Sequence, residues 1–306
     1  MYAKLHAVAR QVGTVIVGKD LQIRQALTCL LAGGHLLVED VPGVGKTTLS
    51  HALAISLGLQ FNRVQFTSDL LPADVAGISI YEREKNGFVF HPGPIFTQVL
   101  LADEINRATP KTQSGLLEAM EERQVSADGV TRPLPEPFFV IATQNPTHQI
   151  GTFPLPESQL DRFLMCLSLG YPDAAAERAL LLGEDRRALL KTLPAAMTPA
   201  ELATAQRGLR SIHTSAALID YIQALAQASR QNGSFAEGLS PRAALALVQA
   251  ARAWAALEGR DHVIPEDVQA VLVPVCAHRL RPLKSAQGVA LASRDLVLRL
   301  QQSVPV

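Results

Sequence analysis

Three cysteines in 306 residues are too few and too scattered for a disulfide framework or a metal site. Cys29, Cys166 and Cys276 each lie in an apolar run, which points to buried free thiols in a reducing compartment. The eight histidines are equally dispersed, and no H-E-x-x-H pair exists to hold zinc. No apolar run approaches the roughly 18 residues of a membrane-spanning helix. The opening MYAKLHAVAR carries no apolar signal core, so the expected location is the cytoplasm, without direct membrane insertion. Charge of one sign is missing too: 28 basic residues balance 28 acidic ones, which gives no field for indiscriminate nucleic-acid binding. The one locally basic run, HRLRPLK at 278–284, reads as a solvated helix end. What is present, 48% apolar and 18% charged residues, is the balance of a globular protein, and the length suits two domains with a core each.

The chain is organised around HLLVEDVPGVGKTTLS, residues 35–50. Leu36-Leu37-Val38 reads as a buried strand, and a helix-forming run follows from Leu49 to Leu57. Between them lie Pro42, Gly43, Val44, Gly45, Lys46, Thr47 and Thr48, the expected phosphate cradle. Gly43 and Gly45 let backbone N–H groups close on phosphate oxygens, and the helix start adds its positive dipole end. Lys46 is placed to reach the β/γ-phosphates and the Thr47 hydroxyl to bind Mg²⁺. The pattern G-x-x-x-x-G-K-[ST] wants glycine at position 40, where this chain has Asp40.

Further along, Gln98–Glu104 reads as an apolar strand ending in two carboxylates. In a parallel sheet the carboxyl ends of strands face the ligand crevice. Asp103 there suits Mg²⁺, held through the ion's water shell, and Glu104 suits a general base for the attacking water. Solvated acids at a strand end are the plainer account of the pair; the Lys-Thr loop upstream decides against it. Phe138–Thr143 is a second buried strand, and Asn145 after it can bridge the attacking water and the γ-phosphate. Residues 78–90, turning near Asn86-Gly87, and 125–137, turning at Asp128-Gly129, read as hairpins. Residues 2–11 and 20–31 read as helices, the latter capped by Asp20, with strands at 61–66 and 164–169. From Tyr171-Pro172 onward alanine- and leucine-rich helical periodicity takes over, with caps at Thr109, Thr198 and Ser240 along the chain. A helix from Pro265 to Leu280 is expected to bend at Pro274, and its start, lacking a polar cap at Ile264, to be weakly fixed. The fold class is therefore α/β, a parallel sheet with helices on both faces over 1–172, followed by an all-α unit over 173–306. No N-K-x-D base-reading motif and no serine-glycine transporter signature is present, which leaves an ATPase among the phosphate-loop proteins.

PGVGKTTL, GPIFTQVLLADEINRATPKTQSGLLEAMEERQV, IATQNP, LPESQLDRF, LSPRAALAL and VIPEDVQAVLVPVCAHRL together resemble the MoxR family of AAA+ ATPases over nearly the whole chain. The resemblance implies ATP and Mg²⁺ as ligands, with Lys46, Thr47, Asp103 and Glu104 in the roles above and Asn145 as the polar sensor. It implies that Arg162 is an arginine finger acting on a neighbouring subunit's γ-phosphate, with an ion pair to Asp161 or another acid as the structural alternative. It implies that Arg242 is a second sensor, reaching the loop from the lid; a cation at a helix start opposes the dipole unless an anion sits opposite. Val17 and Gly18 match the segment that packs on adenine, and Arg107 could contact a neighbouring subunit. The two hairpins match insertions that face the pore or the substrate. The family further implies a homo-oligomeric, hexameric ring and chaperone-like remodelling of partners, often ones with a von Willebrand factor A domain. An ATP-gated assembly scaffold with little turnover, and a DNA-acting helicase or loader, are the rival functions; charge balance speaks against the latter.

Overall fold

The computed structural model describes residues 2–145, 151–183, 186–231, 233, 235–283 and 292–306. Pro146 and Lys284, the ends of two motifs quoted above, lie outside them. Two helices come first, α1 (Tyr2–Val15) and α2 (Asp20–Leu31), and lead into β1 (Leu36–Glu39). Next come α3 (Lys46–Ser56), β2 (Phe61–Gln65), a short α4 (Pro72–Ala76) and the hairpin β3 (Gly77–Glu82) and β4 (Gly87–Pro92). They are followed by β5 (Val99–Asp103), α5 (Pro110–Glu122), the hairpin β6 (Gln124–Ala127) and β7 (Val130–Pro133), β8 (Phe139–Gln144), α6 (Glu157–Leu160) and β9 (Met165–Leu167). Among the described residues the remainder is helical: α7 (Ala174–Leu182), α8 (Arg186–Thr192), α9 (Pro199–Gly208), α10 (Ala216–Gln231), α11 (Pro241–Leu257), α12 (Pro265–Cys276) and α13 (Ser293–Ser303).

The main sheet is parallel, in the order β2-β5-β8-β1-β9. Its inner strands β1, β5 and β8 are buried on both faces because helices cover both, while the edge strand β2 is largely polar. Leu36, Val38, Leu101 and Ile141 face one cluster with α1–α3; Leu37, Leu100, Val140 and Ala142 face the other, with α5. Ala250, Leu257, Val268 and Val271 belong to the cluster that holds α1–α3, because α11 lies along α2, so among the described residues the two halves share one apolar cluster.

Local chemistry explains most element ends. Thr198 and Glu201 form a reciprocal cap at α9, Ser240 caps α11, and Thr109 with Pro110 opens α5. Asp20 is the first residue of α2 rather than its cap, since Lys19 occupies that position. The start of α12 is firmly held: Asp267 accepts from the Ile264 N–H at 2.9 Å and pairs with Arg260. The capping acid sits three residues inside the helix, where a reading of Ile264 alone misses it. Pro274 leaves the Ala270 carbonyl without its helical donor. Gln25 of α2 supplies one at 3.2 Å, and α12 stops at Cys276, short of Leu280.

Both hairpins form, with Asn86, Asp128 and Gly129 at positive φ in their turns. They are also joined to each other. Ser79 donates to Asp128, and the Arg132 guanidinium lies 3.7 Å from the centre of the Phe90 ring. At the opposite edge of the core, His35 precedes β1 and is fully buried. Its Nδ1 accepts from the Val140 N–H at 3.0 Å, which fixes the proton on Nε2, donated to the Met120 carbonyl at 3.1 Å. Burial, with help from the Arg123 charge, pushes its pKa down to about 3 from an ordinary 6.5. The unfolded chain takes up this proton below pH 6.5 while the folded chain refuses it, so stability is complete above that pH and lost as pH falls. Between pH 7 and pH 5 the loss from this one group is about 2 kcal/mol. Urea midpoints measured at both pH values should show it, and a His35→Gln variant, less stable at pH 7, should show a shallower pH dependence.

Candidate functional site

The strand order sets the site. Placing β8 between β1 and β5 brings three carboxyl ends together: the loop after β1, Asp103-Glu104 after β5, and Asn145 after β8. In the loop Gly43 and Gly45 have φ of 88° and 96°, a conformation side chains resist, and a Cβ on Gly43 would meet open space. Gly45 then caps α3, whose first residue is Lys46. The lysine folds back under the loop: Nζ donates to the carbonyls of Asp40 (2.7 Å) and Val41 (3.3 Å) and to Asn145 Oδ1 (3.2 Å). Burial lowers its pKa, opposed by the charges of Asp40, Asp103 and Glu104.

Asp40, where the motif wants glycine, has a structural reason. Its buried carboxylate accepts from the N–H of Val41 (2.9 Å) and of Gly170 (2.7 Å) and from the Ser168 hydroxyl (3.1 Å). It ties the loop's first turn to the chain leaving β9.

Two acids are held by a residue that sequence reasoning passed over. The Thr143 hydroxyl donates to Asp103 Oδ1 at 2.6 Å and accepts from the Glu104 N–H at 2.9 Å. Glu104 itself takes φ 56°, left-handed for a non-glycine residue, which costs about 1–3 kcal/mol. Its carboxylate accepts from Asn145 Nδ2 (3.2 Å), Gln65 Nε2 (2.9 Å) and Arg107 Nη1 (3.1 Å). So Arg107 contacts Glu104 within the chain. Arg63 of β2 binds Asp103 Oδ2 at 2.6 Å. Arg63 and Gln65 alternate along the strand that pairs with β5, and that register was the available signal.

The residues present fit Mg²⁺ and a polyphosphate. Among the described residues no hydrogen bond occupies the Thr47 hydroxyl, one step along α3 from Lys46. The oxygens gathered at Lys46 Nζ are neutral acceptors that phosphate oxygens can replace. Thr47 and Asp103 together offer the hard oxygen donors that Mg²⁺ prefers. Beside the loop, Ile16 packs near Gly45, and Gly18, at φ 71°, sits so close to α7 that a Cβ would fall 2.8 Å from that of Ala176. Val17 is half-buried between them.

The two other arginines lie elsewhere. Arg162 Nε is 3.1 Å from one oxygen of Glu121, and Arg242 Nη2 is 3.2 Å from the other. Asp161, the alternative partner for Arg162, is taken by Arg279 at 2.6 Å. The arginines share a pocket with Gly33 and His35, which lead into the amino end of β1. The phosphate loop leaves its carboxyl end. Four residues of strand separate the two, about 13 Å at roughly 3.3 Å per residue. Arg242 therefore does not reach the loop of its own chain, contrary to the expectation above. The cause is the seat of α11: Gln249 donates to the Ala32 carbonyl at the end of α2, and this holds the helix start at the amino edge of the sheet.

The fold and loop together define the class: a nucleotide-binding P-loop protein of the AAA type. The profile described as "ATPase family associated with various cellular activities (AAA)" matches residues 35–165, and that of the AAA lid domain matches 227–297. Chaperone MoxR1 of Mycobacterium tuberculosis is 39% identical over 99% of this chain and 83% of its own. Protein MoxR of Paracoccus denitrificans is 36% identical over 87% and 85%. A crystal structure of a candidate ATPase from Cytophaga hutchinsonii superposes with a TM-score of 0.89 at 35% identity, covering 99% of this chain and 95% of that one. The chain belongs to the MoxR family of AAA+ ATPases.

Because Thr143 satisfies one acid and one buried N–H, Thr143→Val keeps the shape and removes both bonds. It is expected to lower the unfolding free energy by about 1–3 kcal/mol, read from urea titration.

Proposed function

We propose that this protein hydrolyses ATP in a Mg²⁺-dependent manner as a ring of identical subunits, and uses the cycle to remodel partner proteins. The observation that carries the reading is the split of one catalytic set between two faces of the subunit. Lys46, Asp103, Glu104 and Asn145 converge on one edge of the sheet, while Arg162 and Arg242 are paired on the other. A head-to-tail ring brings one subunit's arginines to the next subunit's loop.

In this reading the loop N–H groups and Lys46 hold the phosphates, the latter exchanging carbonyl partners for phosphate oxygens. Thr47 and Asp103 would hold Mg²⁺, which would supply charge neutralisation at the phosphate oxygens. Glu104 accepts the proton of the attacking water, and Asn145, already bonded to both Lys46 and Glu104, orients that water against the γ-phosphate. Arg162 and Arg242 of the neighbouring subunit offset the charge that builds on the phosphoryl group. Val17 and Gly18, set against α7, line the adenine side. Among the described residues no helix is long and apolar enough to cross a membrane. A relative named as a chaperone supports the remodelling role. The family resemblance names the client class, a von Willebrand factor A domain protein, which a pulldown tests.

Glu104→Gln should retain ATP binding and lose turnover by about 10³-fold, whereas Lys46→Ala should weaken binding itself. Normal hydrolysis by Glu104→Gln would refute the base assignment. Mixing subunits tests the shared site. Arg162→Ala and Arg242→Ala should each be inactive alone, and each should regain partial turnover when mixed with Glu104→Gln, because some interfaces then contain a complete set. No recovery in rings shown to be mixed would count against action in trans.

A further inference from the structure

Asp103, the acid assigned to the metal, is already engaged by protein on both oxygens. Thr143 holds Oδ1, and Arg63 holds Oδ2 through Nη2 at 2.6 Å and Nε at 3.1 Å. The same Nη2 lies 3.1 Å from Gln65 Oε1, and Gln65 Nε2 donates to Glu104 at 2.9 Å. A single arginine is thus bonded to the metal-site acid and, through one amide, to the general base. Arg63 and Gln65 are two apart on β2 and share a face, and Gln65 is level with Asp103 in the ladder.

The two ends of the ion pair differ in their stake. The Arg63 side chain is 48% exposed and that of Asp103 only 10%. Released, the guanidinium is rehydrated at once. The carboxylate, by contrast, sits where charge must be matched by some cation. A divalent ion, directly or through its water shell, would compete with the monovalent guanidinium for the same carboxylate.

We propose that Arg63 is a positioning residue that stands in for the metal. It neutralises Asp103 while the site lacks its cation and yields Oδ2 as Mg²⁺ arrives. Its departure frees Gln65 Oε1, so Gln65 and the Glu104 carboxylate it holds change partners only when the metal is in place. The general base is thereby coupled to metal loading. The proposal rests on the ATPase reading above.

Mn²⁺ binding to the ADP-loaded protein, followed by electron paramagnetic resonance, tests it without turnover. Arg63→Met removes the competitor and should tighten Mn²⁺ binding by about fivefold, the ceiling for a half-exposed ion pair. Arg63→Gln should do the same, and Arg63→Lys should return to within about twofold of the wild type. Thermal melts confirm that each variant is folded. Gln65→Leu cuts the link to Glu104 and leaves the ion pair. It should keep Mn²⁺ affinity within about twofold while lowering turnover. Unchanged or weaker Mn²⁺ binding in both neutral variants would overturn the stand-in role, and wild-type turnover in Gln65→Leu would overturn the coupling. A wild-type protein that takes up no Mn²⁺ with ADP would overturn the ATPase reading itself, a result separable from the other two.

Discussion

An ammonium group sunk beneath a glycine turn is the constraint on which this structure depends. Lys46 is 8% exposed, and its charge is balanced by carbonyl oxygens, an amide and three nearby carboxylates rather than by one dedicated partner. Such an arrangement is stable only if several strands end at the same height. The order β5-β8-β1 provides that, and it requires crossover connections long enough to carry helices. The helices in turn bury both faces of the sheet. From one desolvated cation, the parallel architecture, the apolar strands and the convergence of acids all follow.

Much of this was legible in the residues because local chemistry and long-range chemistry agreed. Strand, glycines, Lys-Thr and helix follow one another in sequence, and the acids close a strand whose apolar run leaves little choice. Both hairpins were visible from Asn-Gly and Asp-Gly. Less legible were the groups whose meaning depends on a neighbour in space. Thr143 is an ordinary strand residue until its parallel partner ends in Asp103-Glu104. Glu121 is one of several acids on an amphipathic helix until two distant arginines land on it. Asp40 looks like damage to a motif until Ser168 and Gly170 are placed beside it. Arg242 was misplaced for a related reason: its sequence context specifies a helix start, but only the packing of α11 on α2 specifies where that start lies.

Glu121 gives the distant face its character. A carboxylate flanked by two guanidinium groups resembles, in charge and in spacing of oxygens, the anion those groups are suited to meet. Glu121 thus keeps the two arginines paired beside each other instead of dispersed in solvent. Because the helical half shares its apolar cluster with α1–α3, the seat of Arg242 is also bound to the packing around the nucleotide loop.

The two hairpins, tied by a charge on a ring and by a serine-to-aspartate bond, form a truss rather than a pair of cantilevers. A load at the exposed tip near Phe88 passes into both arms. It divides between the segment that runs on into β5 and the one that runs on into β8. β5 ends in Asp103 and β8 one residue before Asn145, so the hairpins and the candidate site hang from the same two girders.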